Sequence, residues 1–394
     1  MRIPFISRLS FLVLILILTF FMLLNPRETV AAAASGAHLW YSVLLPALLP
    51  FFIAADLLVS TGLVAFLGVL LEPVMRPLFR LPGCSSLVIA MGFTSGFPIG
   101  AILTRRLYDE KMLSASEAER LVSFTNNSSP LFILGAVGVG MLTSPLLGYV
   151  LAFSHYLANI LVGIFWGLRV PTPVSRPKSQ KIWAEAWNSL KEYKSATPGQ
   201  LLGDAIKNSL NNILAIAGFV IFFSLLTRML AVTGLMQCLA NFLSWVMAPL
   251  GLNYTLAYAL CTGFFEITLG TRAAAAGLDG SVLGVMLVIS MILAFSGCSI
   301  IAQVMSILSG MPVRLSFYLL SRGLQMILSL LLTLLLYTLM APTRAGYAFA
   351  PLNQNLLYSF NAWTISLTCL LGGLIVLLLL AVLSMTFNFN NHRS

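Results

Sequence analysis

Two long apolar stretches carry polar residues where a helix in lipid has no use for them. Residues 84–104 (CSSLVIAMGFTSGFPIGAILT) hold Thr94, Ser95, Gly96 and Gly100, and residues 256–276 (LAYALCTGFFEITLGTRAAAA) hold Glu266 and Thr268. Two further interruptions lie downstream: Thr125-Asn126-Asn127-Ser128-Ser129-Pro130, and Ser296-Gly297-Cys298-Ser299. A helix broken at bilayer depth leaves N–H and C=O groups unpaired at high cost, so a break persists only where protein, water or a solute completes it. The amino termini of half-helices present free N–H donors at a positive dipole end. Ser, Thr and Asn add neutral hydrogen-bonding groups, a combination suited to a carboxylate or a polar ring. One such stretch alone is as well explained by close packing of small residues. Four of them favour a solute site built from Thr94, Ser95, Gly96, Gly100, Thr125, Asn126, Asn127, Ser128, Glu266, Thr268, Ser296, Gly297 and Ser299.

Charged side chains within apolar spans are few, and an ionisable group at membrane depth is a functional candidate by default. Glu266 is one, with three readings open: a coupling proton, a coordinated cation, or a bond to the solute. A structural pair with Arg272 or Arg228 is the competing reading. Asp56 is the other acid, and it aligns in the internal repeat described below with Arg228, so a gating or interfacial salt bridge stands beside solute contact. Arg322 and His155 occupy matching repeat positions. Arg322 is read either as the attractive charge for an anion or as a boundary arginine that snorkels to the interface.

Other chemistries lack material. The chain has three histidines and five cysteines without CxxC spacing, which argues against a metal centre, a histidine triad or a disulfide framework. No Walker A, nucleophile elbow or HExxH appears, so the chain is not expected to be an enzyme. The net charge of +10 is scattered between apolar spans and forms no aromatic-interleaved patch, so nucleic acid is not expected as a partner. Orientation and contact with anionic lipid account for it. No cofactor is implied beyond a coupling H⁺ or Na⁺.

The elements that must position these residues are helices. Of 394 residues, 59% are apolar and 9% charged, and the apolar runs are long enough to cross about 30 Å of hydrocarbon. Crossings are expected at 9–25, 39–60, 124–142, 146–168, 209–230, 282–309, 315–340 and 362–384. The two polar-centred stretches are expected to enter and return as hairpins. Arg2, Arg8, the apolar run from Phe11 to Leu24 and Ala31 to Ala34 imitate a secretory signal, and an uncleaved anchor is the favoured reading.

An internal repeat appears at an offset of about 172 residues. Thr61, Gly62 and Leu63 fall on Thr233, Gly234 and Leu235, and Val74, Met75 and Pro77 fall on Val246, Met247 and Pro249. With the amino terminus inside, all but Arg27, Arg228, Arg272 and Arg344 of the 22 basic residues lie on or near the inner face. The first copy then begins outside and the second inside. The expected fold is an all-α polytopic membrane protein with two inverted repeats, broken or re-entrant helices and flanking terminal helices. Its parts are an anchor helix and outside loop (1–37), a first repeat (38–168), a basic cytoplasmic linker (169–207), a second repeat (208–341) and a carboxy-terminal helix and tail (342–394).

The stretches LLPALLPFFI (44–53), LLEPVMRPLFRLPG (70–83), GFTSGFPIGA (92–101) and EAERLVSFTNNSSPLFILGAVGVG (117–140) closely resemble the YlbJ family of sporulation integral membrane proteins. That family is similar to the nucleoside-transporter gate-domain proteins, whose fold has inverted repeats with helical hairpins. The resemblance implies a role in endospore formation, in the outer forespore membrane, moving dipicolinic acid, a small aromatic dianion, toward the forespore. It supplies no ligand list, so the site residues above rest on chemistry alone. A nucleoside or nucleobase carried with H⁺ or Na⁺, and a structural sporulation protein that transports nothing, remain as rival readings. The implied partners are the solute and membrane lipid, with a homo-oligomer left open.

Overall fold

The computed structural model describes residues 5–171, 182–192, 197–278 and 281–340. Among these residues the chain forms sixteen α-helices, two π-wound segments, one short 3₁₀ turn and no strand. The expected crossing at 362–384 and the part at 342–394 lie outside the described residues.

The two copies can be followed element by element. In the first, α3 (Leu45–Ser60) is followed by α4 (Leu63–Phe79), α5 (Ser85–Ser95), α6 (Ile99–Asp109), α7 (Ala115–Thr125), a π-wound segment (Leu131–Met141) and α8 (Pro145–Leu168). In the second, α10 (Pro198–Val232) is followed by α11 (Leu235–Met247), α12 (Tyr254–Phe265), α13 (Ile267–Ala275), α14 (Val282–Phe295), α15 (Gly297–Ile307) and α16 (Leu315–Met340). The shared Thr-Gly-Leu has a physical meaning: Gly62 and Gly234 both adopt a left-handed conformation, φ 82° and 78°, and turn the chain into α4 and α11. Contacts between the copies exchange when the copies are swapped. α7 packs on α16 as α14 packs on α8, and α6 meets α15 as α13 meets segment 131–141.

Two expectations are corrected. Residues 26–39 are not a loop but a helix, α2 (Pro26–Leu39), packed on α10 and turned by 110° from α1 (Phe5–Leu24). Pro26 starts α2, where its missing N–H is no loss and its fixed φ suits the first turn. The 124–142 crossing opens with the interruption expected there, since α7 stops at Thr125 and residues 126–129 are not helical. The 169–207 linker contains a helix, α9 (Ile182–Glu192), held on α4 with the Trp183 and Phe66 rings 6.1 Å apart.

Among the described residues, four helical stretches are long and apolar enough to cross a membrane: 145–168, 198–232, 282–307 (α14 with α15) and 315–339. Two bent pairs, 8–24 with 26–42 and 48–60 with 63–79, bring the count to six if each pair is one span. The chain is thus an integral, multi-pass membrane protein. Its lipid-facing surface is apolar, as at Leu320, Ile327, Leu331 and Leu335 of α16. The buried face of the same helix is polar, with Tyr318, Arg322, Gln325, Ser329 and Thr333 at 0% exposure. Spacings of three and four residues put all five on one stripe.

Candidate functional site

Each copy folds its two interruptions against each other. In the first copy α5 and α6 form a hairpin whose tip is Gly96, at φ 83°. A side chain on Gly96 would lie 2.7 Å from the main-chain nitrogen of Ser129, and one on Gly92 would lie 2.1 Å from the carbonyl oxygen of Thr125. Only glycine lets the hairpin and the 126–129 break approach so closely. In the second copy the α12–α13 hairpin turns at Glu266, and a side chain on Gly297 would meet the carbonyl oxygens of Gly263 and Phe265 at 3.1 and 3.2 Å. Sequence reasoning found all four interruptions; the structure adds that they meet in pairs.

The 126–129 break is the most enclosed. Asn126 and Asn127 are wholly buried and Ser128 is 1% exposed. The Asn126 amide donates to the Tyr318 hydroxyl at 2.9 Å, and the Asn127 amide donates to the carbonyl of Phe124 at 3.1 Å. The Ser128 N–H donates to His155 at 3.4 Å, and the Tyr156 hydroxyl donates to the Ser128 carbonyl at 2.8 Å. The amide oxygens of Asn126 and Asn127 and the Ser128 hydroxyl have no partner. Buried polar groups are nearly always paired, so such a set marks a place for something else to bind.

Arg322 enters this break from the second copy. Its guanidinium donates to the carbonyl of Asn126 at 3.1 Å, to the carbonyl of Ser123 and to the amide oxygen of Asn159 at 3.5 Å. It lies 5.2 Å above the Tyr318 ring. Its Nε has no partner, and among the described residues no carboxylate pairs with it. The boundary-arginine reading is therefore corrected: at 0% exposure the side chain does not snorkel. It is a positive charge held among carbonyl oxygens.

Other expected residues separate. Ser95 is buried beside the Gly96 tip with its hydroxyl unpartnered, whereas the hydroxyls of Thr94 and Thr125 return to carbonyls of their own helices. Gly100 backs onto the Thr125 carbonyl. At the second-copy break the Ser296 hydroxyl is buried and unpartnered, and Ser299 accepts from Gln303 at 3.4 Å. Glu266 is buried, and its carboxylate accepts from the Leu269 N–H at 2.6 Å, capping α13; Thr268, half-buried, lies within that first turn. The suggested partners of Glu266 are engaged or exposed: Arg228 pairs with Glu28 at 2.6 Å, and Arg272 lies at the surface.

Asp56 does not meet Arg228. It pairs with Arg106 of α6, which also donates to Ser60 at 2.8 Å and to Glu110 at 3.1 Å. This pair borders an open polar cleft of about 540 Å³ lined also by Asn208, Asn211 and Asn212 of α10. A cross-copy ion pair joins Glu119 of α7 to Arg314 at 2.8 Å, and the carboxylate raises the Arg314 pKa by that bond. Tyr318, Asn159 and Gln325 were not singled out from sequence. For Tyr318 and Gln325, the polar stripe at three- and four-residue spacing in an otherwise apolar span is the signal that could have found them.

The model of a family described as Gate, nucleoside recognition, matches residues 41–145 and 213–311, one segment in each copy. The chain is 40% identical over 337 residues to the sporulation integral membrane protein YlbJ of Bacillus subtilis, covering 82% of each chain. It is 32% identical over 154 residues to an uncharacterized protein of Alkalihalophilus pseudofirmus, which is 36% of this chain and 31% of that one. No solved structure matches. Two broken-helix copies, matched one segment each by the Gate model and continuous with YlbJ over most of their length, place this chain in the Gate family and among the YlbJ-type sporulation integral membrane proteins.

Proposed function

We propose that this protein is a membrane transporter, not an enzyme, and that it carries a small anionic solute through the site at the 126–129 break. The observation that supports this most is Arg322, a wholly buried cation with no carboxylate partner among the described residues. A buried charge without a counter-ion is costly, and an anionic solute that supplies the missing charge recovers that cost on binding. Asn126, Asn127, Ser128 and Ser95 supply the neutral hydrogen bonds around it, with Gly96 and Gly100 permitting close approach. In this reading Glu266, Thr268, Ser296, Gly297 and Ser299 form the symmetry-related half of the pathway.

The solute that fits the sporulation relative and the charge is dipicolinate, moved across the outer forespore membrane during endospore formation. The test is uptake of labelled dipicolinate into proteoliposomes of the full chain, with Arg322→Gln and Asn126→Ala alongside. Uptake by the parent protein that falls at least tenfold in both variants supports the reading. No uptake by the parent protein ends it.

The Gate description favours a second reading, in which the amides of Asn126 and Asn127 recognise a nucleoside. Competition decides between the two: excess uridine or adenosine displaces labelled dipicolinate only if the site is built for a base.

A further inference from the structure

His155 lies wholly buried on α8, with both ring nitrogens facing polar groups. Nε2 is 3.4 Å from the main-chain nitrogen of Ser128, and Nδ1 is 3.4 Å from the side-chain amide of Gln325. The Ser128 N–H is a donor, so Nε2 is the bare acceptor and the ring proton sits on Nδ1. That proton needs an acceptor. Gln325 provides one when its amide is turned so that Oε1, otherwise without a partner, faces the ring. The imidazole is therefore neutral, and its only free lone pair is tied to the break where the solute is proposed to bind.

The surroundings hold one positive charge and no negative one. From α16, Gln325 bonds the ring and the Arg322 guanidinium acts on it as a neighbouring positive charge, and the Tyr156 ring lies 5.5 Å from it. α14, α5 and segment 131–141 carry no ionisable side chain. On α7, Glu117 is paired with Arg76 and Glu119 with Arg314, and Arg120 donates to the carbonyls of Phe79 and Arg80. On α4, Glu72 and Arg76 pair with each other.

We propose that His155 takes up a proton when a dianion binds, so that one proton travels with each doubly charged solute. This rests on the anionic-solute reading of the same break. A carboxylate reaching the break accepts the Ser128 N–H, which breaks the bond to Nε2 and frees its lone pair. Arg322 meets one of the solute's two charges, and a proton from water on Nε2 meets the other. Dianion, guanidinium and imidazolium then sum to zero in a site of low dielectric. Release of the solute lets Ser128 return to Nε2, and the proton leaves to the side on which the solute is released. The coupling group is thus His155 and not Glu266, whose carboxylate is engaged in capping α13.

The test uses the full chain in proteoliposomes loaded with pyranine, with the membrane potential clamped by potassium and valinomycin. Dipicolinate influx is expected to acidify the lumen by about one proton per solute. His155→Gln is expected to carry dipicolinate at a much reduced rate, with the remaining influx bringing no proton and no longer depending on pH between 5 and 8. Influx without acidification in the parent protein, or acidification that persists in His155→Gln, overturns the proposal while leaving the transport reading intact. Absence of any influx removes both. Should His155→Gln fail to fold, calorimetry on the parent protein in two buffers of different ionisation enthalpy gives the answer. Uptake of about one proton per bound dipicolinate, and none per bound benzoate, is expected; equal values for the two ligands overturn the proposal.

Discussion

The guanidinium of Arg322 donates to the carbonyl oxygen of Asn126 at 3.1 Å across 196 positions of sequence. This single contact joins the long last helix of the second copy to the broken segment of the first. It makes the two copies one site, because the break supplies carbonyls and amides and the other copy supplies the charge.

Replacing Arg322 tests the charge and its geometry separately. Arg322→Gln is expected to abolish dipicolinate uptake. Arg322→Lys keeps the charge but loses the fork that spans the Asn126 and Ser123 carbonyls. Loss of one charge-assisted hydrogen bond, about 1.5–3 kcal/mol, corresponds to a rise in apparent Km of roughly ten- to a hundredfold. Initial uptake rates over a concentration series measure it.

Tyr318→Phe removes the hydroxyl that accepts the Asn126 amide at 2.9 Å. A buried donor left unpaired costs about 1–3 kcal/mol. The thermal midpoint of the detergent-purified variant should fall by several degrees, and Asn126→Ala on the Tyr318→Phe background should cost less than Asn126→Ala alone.

A methyl group separates close approach from ordinary helix positions. Gly92→Ala places a carbon 2.1 Å from the Thr125 carbonyl oxygen, and the overpacking should cost about 1–3 kcal/mol or more. Gly218→Ala on α10 meets nothing within 4 Å and should be neutral or stabilise by about 0.5–1 kcal/mol. Fluorescence-detected thermal unfolding of both variants tests the contrast.

The partner of Asp56 can be read from charge reversal. Asp56→Arg with Arg106→Asp should recover most of the stability lost by either change alone, with a coupling of about 1–2 kcal/mol. Asp56→Arg with Arg228→Asp should show no recovery, since Arg228 is bound to Glu28. A double-mutant cycle of thermal stability decides it.

Glu266→Gln retains an oxygen able to accept from the Leu269 N–H, whereas Glu266→Ala does not. The alanine variant should lose about 0.5–2 kcal/mol and the glutamine variant much less. Equal losses in an unfolding assay would show that the negative charge, not the cap, is what the position requires.

The all-α membrane class was set by composition and by the length of the apolar runs, because lipid admits few other backbones. The places of the four interruptions were also legible, since Gly, Pro, Ser and Asn centred in an apolar run announce themselves without any tertiary information. So was the repeat, through Gly62 and Gly234, because a left-handed turn selects glycine locally. Helix α2 was missed because Ala31 to Ala34 suit a signal peptide and a helix equally, and only packing on α10 separates them.

What joins what was decided by the tertiary structure alone. Asp56 and Arg228 are repeat-equivalent, yet each pairs elsewhere, because equivalent positions in two copies related by a rotation need not lie near each other. His155 and Arg322 are equivalent too, and they come close enough for one charge to act on the other, because α8 and α16 pack together. Sequence carries the chemistry of each residue, but the charge state of a site depends on distances between copies. Those distances are fixed only when both copies fold around the same break.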